Sequence, residues 1–309
     1  MRFFLLLVAM LSLTGCFGPP RSVTEPDGVR ILRDWTYATV DGEDLQLDLY
    51  LPESFGKPLP LIVWIHGGGW VTGERSPCPV AMLATRGYAV ASISYRLSRG
   101  EVTFPTPLHD CKAAIRWLRA NAWRFGCDPE RIGVLGASAG GHLAAMLGTT
   151  QDNPAFEGTE GKLGVSSRVQ AVCALFAATD FVHLEEVEDD HWSINFVAKA
   201  LLHGPPSNNP ELAAAASPIT HVSKTSAPFL LIHGTADSMI PPAQSERMHA
   251  ALKAAGADSS LLLIEGMPHG NRTLARPDLQ QAADAFFSQH LKTPLSGVMV
   301  RPVDPASTQ

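Results

Sequence analysis

The chain has 309 residues, 45% hydrophobic and 17% charged, which is enough apolar material for a sizeable core and excludes wholesale disorder. Its formal net charge of −6 offers no basic stripe to displace phosphate counterions, so nucleic acid is excluded as a partner. Five cysteines are too few for a disulfide scaffold, and no period of about 20–50 residues recurs, which removes solenoids and propellers.

Behind Arg2, residues 3–13 form an almost unbroken apolar run. It is shorter than the ~20 residues of a membrane span and suits the ~7–15 of a signal peptide, assigned here to residues 1–15. The run closes on Leu13-Thr14-Gly15-Cys16, which resembles a bacterial lipobox; the resemblance implies cleavage before Cys16 and lipidation of that cysteine. The protein is then expected to meet the membrane through Cys16 and to sit at the bacterial cell envelope. Residues 16–34, rich in Pro and Gly at their start, read as a tether.

The catalytic domain is expected over residues 35–293, with 294–309 as a tail. Residues 45–51 alternate with period two, as in an antiparallel edge strand. Residues 60–65 are continuously apolar, as in a strand buried on both faces. Helical 80–85, strand 88–94, helix 109–124, strand 131–135 and helix 140–147 follow. Strands at 169–176, 228–232 and 261–264 alternate with helices at 243–255 and 279–291. This order predicts an α/β fold with a mostly parallel sheet of about eight strands and helices on both faces. Residues 152–225 depart from the rhythm and are expected to overhang the site as a partial lid. Cys78, Cys111, Cys127 and Cys173 show no clip spacing and are expected as buried thiols.

In such a sheet, ligands sit beyond the carboxyl ends of the strands, and three of those ends carry informative residues. Gly136-Ala137-Ser138-Ala139-Gly140 places a serine between strand and helix among residues small enough for a sharp turn. His66-Gly67-Gly68-Gly69-Trp70 offers bare backbone N–H groups that could face a developing oxyanion. Asp237, in His233-Gly234-Thr235-Ala236-Asp237, and His269, in Met267-Pro268-His269-Gly270, end the last two strands. The chain order Ser, Asp, His is the one found in α/β-hydrolases.

With these motifs the sequence resembles the α/β-hydrolase superfamily, in particular carboxylesterases of the BD-FAE (bacterial feruloyl and acetyl esterase) type, related to hormone-sensitive-lipase-like esterases. The likeness covers most of the chain, including Ser94-Tyr95-Arg96-Leu97-Ser98 and Asp128-Pro129-Glu130-Arg131-Ile132. It implies Ser138 as nucleophile, His269 as general base and Asp237 as its orienting acid. It also implies an oxyanion hole from the amides of Gly68, Gly69 and Ala139, with no metal or cofactor. The implied substrates are short acyl or aryl esters, free or carried on carbohydrate. A kynurenine-formamidase-like amidase and a non-catalytic surface binding module are the alternatives.

Other residues have blander readings. His66 is expected to brace the glycine loop, and His142 to be structural. Asp110 reads as a first-turn helix carboxylate, and Asp180 as the rival to Asp237 for the acid. The acidic stretch 185–190 reads as a solvated face. Trp70, Trp192 and Phe196 are candidate pocket aromatics.

Overall fold

The computed structural model describes residues 25–151, 153–184, 198–270 and 276–292. Eight strands form one sheet in the order β1-β2-β4-β3-β5-β6-β7-β8. They are β1 (Val29–Val40), β2 (Glu43–Pro52), β3 (Leu59–Ile65), β4 (Ala89–Ile93), β5 (Cys127–Ala137), β6 (Ala171–Leu175), β7 (Phe229–Gly234) and β8 (Ser259–Ile264). β2 pairs antiparallel with β1 and with β4, and every other pairing is parallel. The helices that frame the site are α1 (Thr106–Asn121), α2 (Ala139–Thr149), α3 (Pro210–Ala216), α4 (Ala243–Ala254) and α5 (Pro277–Phe287).

The two faces of β3 explain why its sequence is apolar throughout. Leu61, Val63 and Ile65 pack with α1 and α2, whereas Ile62 and Trp64 pack on the opposite side with Phe287 and Leu291. Each such side chain removed from water is worth about 1.5–3 kcal/mol, so the central strands hold the two layers together.

Three expectations need correction. The domain starts before residue 35: β1 begins at Val29, and Trp35 lies inside it, against Phe125 at 5.3 Å and under the Arg124 guanidinium at 4.6 Å. Nor is the strand at 45–51 an edge. β2 is covered by β1 through a hairpin whose Asp41 and Gly42 take φ of 52° and 84°, the positive values a two-residue turn demands. Finally, 152–225 is not one continuous overhang, because β6 lies within it and pairs with both β5 and β7.

Candidate active site

Ser138 stands between β5 and α2 with φ 56° and ψ −120°, a strained conformation for a residue with a Cβ. Its amide donates to the Leu175 carbonyl at 2.9 Å, and its own carbonyl accepts the His142 amide at 2.9 Å. Glycines make the turn feasible. A Cβ on Gly136 would lie 2.1 Å from the Gly140 carbonyl oxygen, and one on Gly140 would lie 2.0 Å from that of Ile65. The second approach seats the turn directly on the end of β3, where the glycine loop starts.

In that loop Gly68, Gly69 and Trp70 take φ of 113°, 59° and 62°, and the Val71 and Thr72 amides both donate to the Gly68 carbonyl. No hydrogen bond between described residues takes up the amides of Gly68, Gly69 or Ala139. His66 donates Nδ1–H to the Gly67 carbonyl at 2.8 Å and stacks on Tyr95, whose hydroxyl donates to the His66 carbonyl. Burial pushes its pKa down to about 4, so the ring is neutral and braces the loop. Trp70 differs from its expected role. It is 1% exposed, packs on Phe181, and donates its indole N–H to His142 Nδ1 at 3.1 Å, which encloses the ring in the core. His142 in turn donates Nε2–H to the Ala216 carbonyl at 2.7 Å, and burial holds it near pKa 4.

Asp237 and His269 reach Ser138 from the loops after β7 and β8, which are stitched together. The Thr235 amide donates to the Ile264 carbonyl and the Ala236 amide to that of Met267, while the Gly266 amide donates to Thr235 Oγ1. His269 Nδ1 lies 2.7 Å from Asp237 Oδ2, and its Nε2 lies 3.0 Å from Ser138 Oγ. A carboxylate only accepts, so Nδ1 carries the proton and the Nε2 lone pair faces the serine hydroxyl. Asp237 Oδ1 accepts the amides of Met239 and Ile240, each at 2.9 Å. Burial alone pushes the Asp237 carboxyl up. The hydrogen bonds from His233 and His269, the His269 charge and the Ile240 amide outweigh it and hold the carboxyl well below the usual carboxylate range.

Two residues in this assembly carried no sequence signal of their role. Phe176, φ 38°, directly follows β6 and meets the His269 ring edge-on at 4.6 Å. His233, within a motif noted for its aspartate, is fully buried beside Asp237.

The other carboxylates are engaged elsewhere. Asp180 accepts the Val182 and His183 amides on Oδ1 and holds His183 Nδ1 on Oδ2 at 2.8 Å, with Arg247 Nε at 3.3 Å. Asp110 is not a first-turn dipole carboxylate but a buried partner of Arg96, gripped by its backbone amide, Nε and Nη2. Cys78, Cys111, Cys127 and Cys173 are free and buried. Trp192, Phe196, the acidic stretch 185–190 and Cys16 lie outside the described residues. Among those described, no three His, Cys, Asp or Glu side chains group as metal ligands, and no helix is long and apolar enough to cross a membrane.

A mostly parallel eight-stranded sheet with a strained serine turn at the end of β5 defines an α/β-hydrolase fold. Within that class the BD-FAE family pattern matches residues 47–252, and the chain belongs to this family of esterases. Esterase LipC of Mycobacterium tuberculosis is 34% identical over 218 residues, 69% of this chain and 53% of LipC. The chain spans about half the length of the mycobacterial relatives it matches. Among solved structures, a truncated carbohydrate esterase from gut microbiota superposes with a TM-score of 0.74 at 28% identity, covering 85% of this chain and 96% of that one. A propionate-bound esterase from Thermogutta terrifontis gives 0.69 at 29% identity, covering 85% and 94%.

Proposed function

We propose that the protein is a serine carboxylic-ester hydrolase acting on short acyl or aryl esters. The continuous hydrogen-bonded path from Ser138 Oγ through His269 to Asp237 carries this reading. Ser138 Oγ attacks the ester carbonyl carbon while His269 Nε2 takes the hydroxyl proton. The oxyanion so formed is held by the amides of Gly68, Gly69 and Ala139, a kind of interaction worth ~3–4 kcal/mol per donor elsewhere. Collapse breaks the bond to the alcohol, which leaves with the His269 proton, and water then cleaves the acyl-serine with His269 again as base. Asp237 keeps the imidazole in the required tautomer and stabilises it when charged.

For the substrate, the proposal is an acetyl or feruloyl group carried on a carbohydrate. A similar structure solved as a carbohydrate esterase supports a carbohydrate carrier, and one solved with propionate bound supports a short acyl group. The lipobox-like Leu13–Cys16 segment supports lipidation at Cys16 and an envelope location, where surface-bound polymers meet the cell. The test is a p-nitrophenyl chain-length series together with acetate and ferulate release from acylated glycans. Activity should peak at acetyl to butyryl and collapse by decanoyl. An optimum at eight carbons or more overturns the small-acyl reading, and preferential cleavage of N-formylkynurenine replaces the esterase with an amidase.

A further inference from the structure

The Asp237 carboxylate serves two histidines. His233, the penultimate residue of β7, is fully buried, and its Nε2 lies 2.9 Å from the Ile240 carbonyl oxygen and 3.2 Å from Asp237 Oδ2. The Ile240 carbonyl can only accept, so the ring proton sits on Nε2 and is shared between that carbonyl and the carboxylate. Nδ1 lies 2.7 Å from Ser245 Oγ on α4, so the serine hydroxyl donates to it and fixes the tautomer. Oδ2 is also the oxygen that receives the His269 Nδ1 proton. With the Met239 and Ile240 amides on Oδ1, one carboxylate takes four donors.

We infer that His233 is a positioning residue for the Ser138–His269–Asp237 arrangement, its Nε2–H holding the same Asp237 oxygen that orients the general base. The inference rests on the triad reading above. Two consequences follow from the chemistry. The bond removes a rotational freedom of Asp237, so His269 meets Ser138 at a fixed angle. It also draws charge from Oδ2, so Asp237 stabilises the His269 imidazolium less than an undivided carboxylate would. Removing the donor therefore strengthens the imidazolium and brings the loss of activity on acidification to higher pH. Among the described residues, the titratable groups facing Asp237 are His233 from β7 and His269 from the loop after β8, and the side chains bonded to His233 are Asp237 and Ser245.

The experiment is the pH profile of kcat/KM on p-nitrophenyl acetate for the full chain and for His233→Phe, His233→Met and His233→Gln. Phe and Met remove the donor, whereas Gln keeps an N–H near the Nε2 position. The donor-free variants should lose about tenfold or more in kcat with KM within about twofold. Their acid limb should move up by about half to one pH unit, and His233→Gln should restore much of both. A merely structural histidine would alter thermal stability without moving the limb, so an unmoved limb in a folded donor-free variant overturns the inference. Histidine-selective 15N NMR of the unaltered protein supplies a test independent of folding: His233 should be protonated on Nε2 and bare on Nδ1 at neutral pH, and the opposite tautomer also overturns it. Labelling by a fluorophosphonate separates this from the triad reading. A label at Ser138 with an unmoved limb removes only the role of His233, and a label elsewhere removes the triad.

Discussion

Two aspartate–histidine pairs lie beyond the carboxyl ends of neighbouring strands. Asp237–His269 follows β7 and β8 with a 2.7 Å bond, and Asp180–His183 follows β6 with one of 2.8 Å. Both carboxylates are buried and both accept two backbone amides on Oδ1. Bond length and burial therefore do not separate the proposed catalytic pair from the structural one. The difference lies one atom further on. His269 is nearly enclosed, with its second nitrogen against Ser138 Oγ, whereas the His183 side chain is 47% exposed and closes a local loop only three residues from its partner. A carboxylate–imidazole pair becomes chemical through what its far nitrogen meets.

The largest expected effect tests that far contact. Ser138→Ala should lower kcat by about 10⁴-fold or more while the fold is kept, read by ester turnover beside circular dichroism. Near-native turnover would place the chemistry elsewhere. Next come the two acids: Asp237→Asn should cost about 10⁴-fold in kcat, because the amide presents a donor to His269 and reverses its tautomer. Asp180→Asn should stay within about tenfold and appear instead as a lower Tm. If the two results exchange places, the comparison of the pairs fails.

The pH dependence sharpens it further. Asp237, held well below the usual carboxylate range, stays ionised while the general base takes up its proton, so kcat/KM should fall with unit slope as pH drops. A slope of two above pH 4 would mean that Asp237 titrates as well. Stability has its own window, set by the buried neutral rings of His66 and His142, both near pKa 4. An unfolded histidine protonates at ~6.5, so between ~6.5 and about 4 the unfolded chain binds more protons and stability declines as pH falls. Each ring contributes up to about 1.4 kcal/mol per pH unit. Urea midpoints at pH 7 and pH 5 measure this, and His142→Gln should flatten the slope. The smallest effect is expected at His183→Ala, with turnover unchanged within about twofold.

How much could be read in advance follows from how local each constraint is. The serine turn and the glycine loop are legible because backbone geometry imposes them within a few residues: the contact of Gly140 with the Ile65 carbonyl admits no side chain. Asp237 and His269 are legible from chain order and strand ends. β1 escaped because only two of its twelve residues are buried and two register shifts break its alternation. Trp70 looked like a pocket aromatic because its acceptor, His142, lies 72 residues away. His233 stood in plain view, but its role depends on the Ser245 hydroxyl and the fold-back of the Ile240 carbonyl, neither of which any spacing announces.

The bond between His269 and Ser138 spans 131 residues and joins loops on either side of β6. A chain still emerging from the ribosome presents its serine long before the base exists to activate it, and β6, β7 and β8 must all be in register before the two meet. On the proposed chemistry, the unfinished polypeptide is inert toward the cell's own esters, and the onset of turnover marks completion of the sheet. On that chemistry, turnover begins only once the loop beyond the last parallel strand has closed on the serine turn.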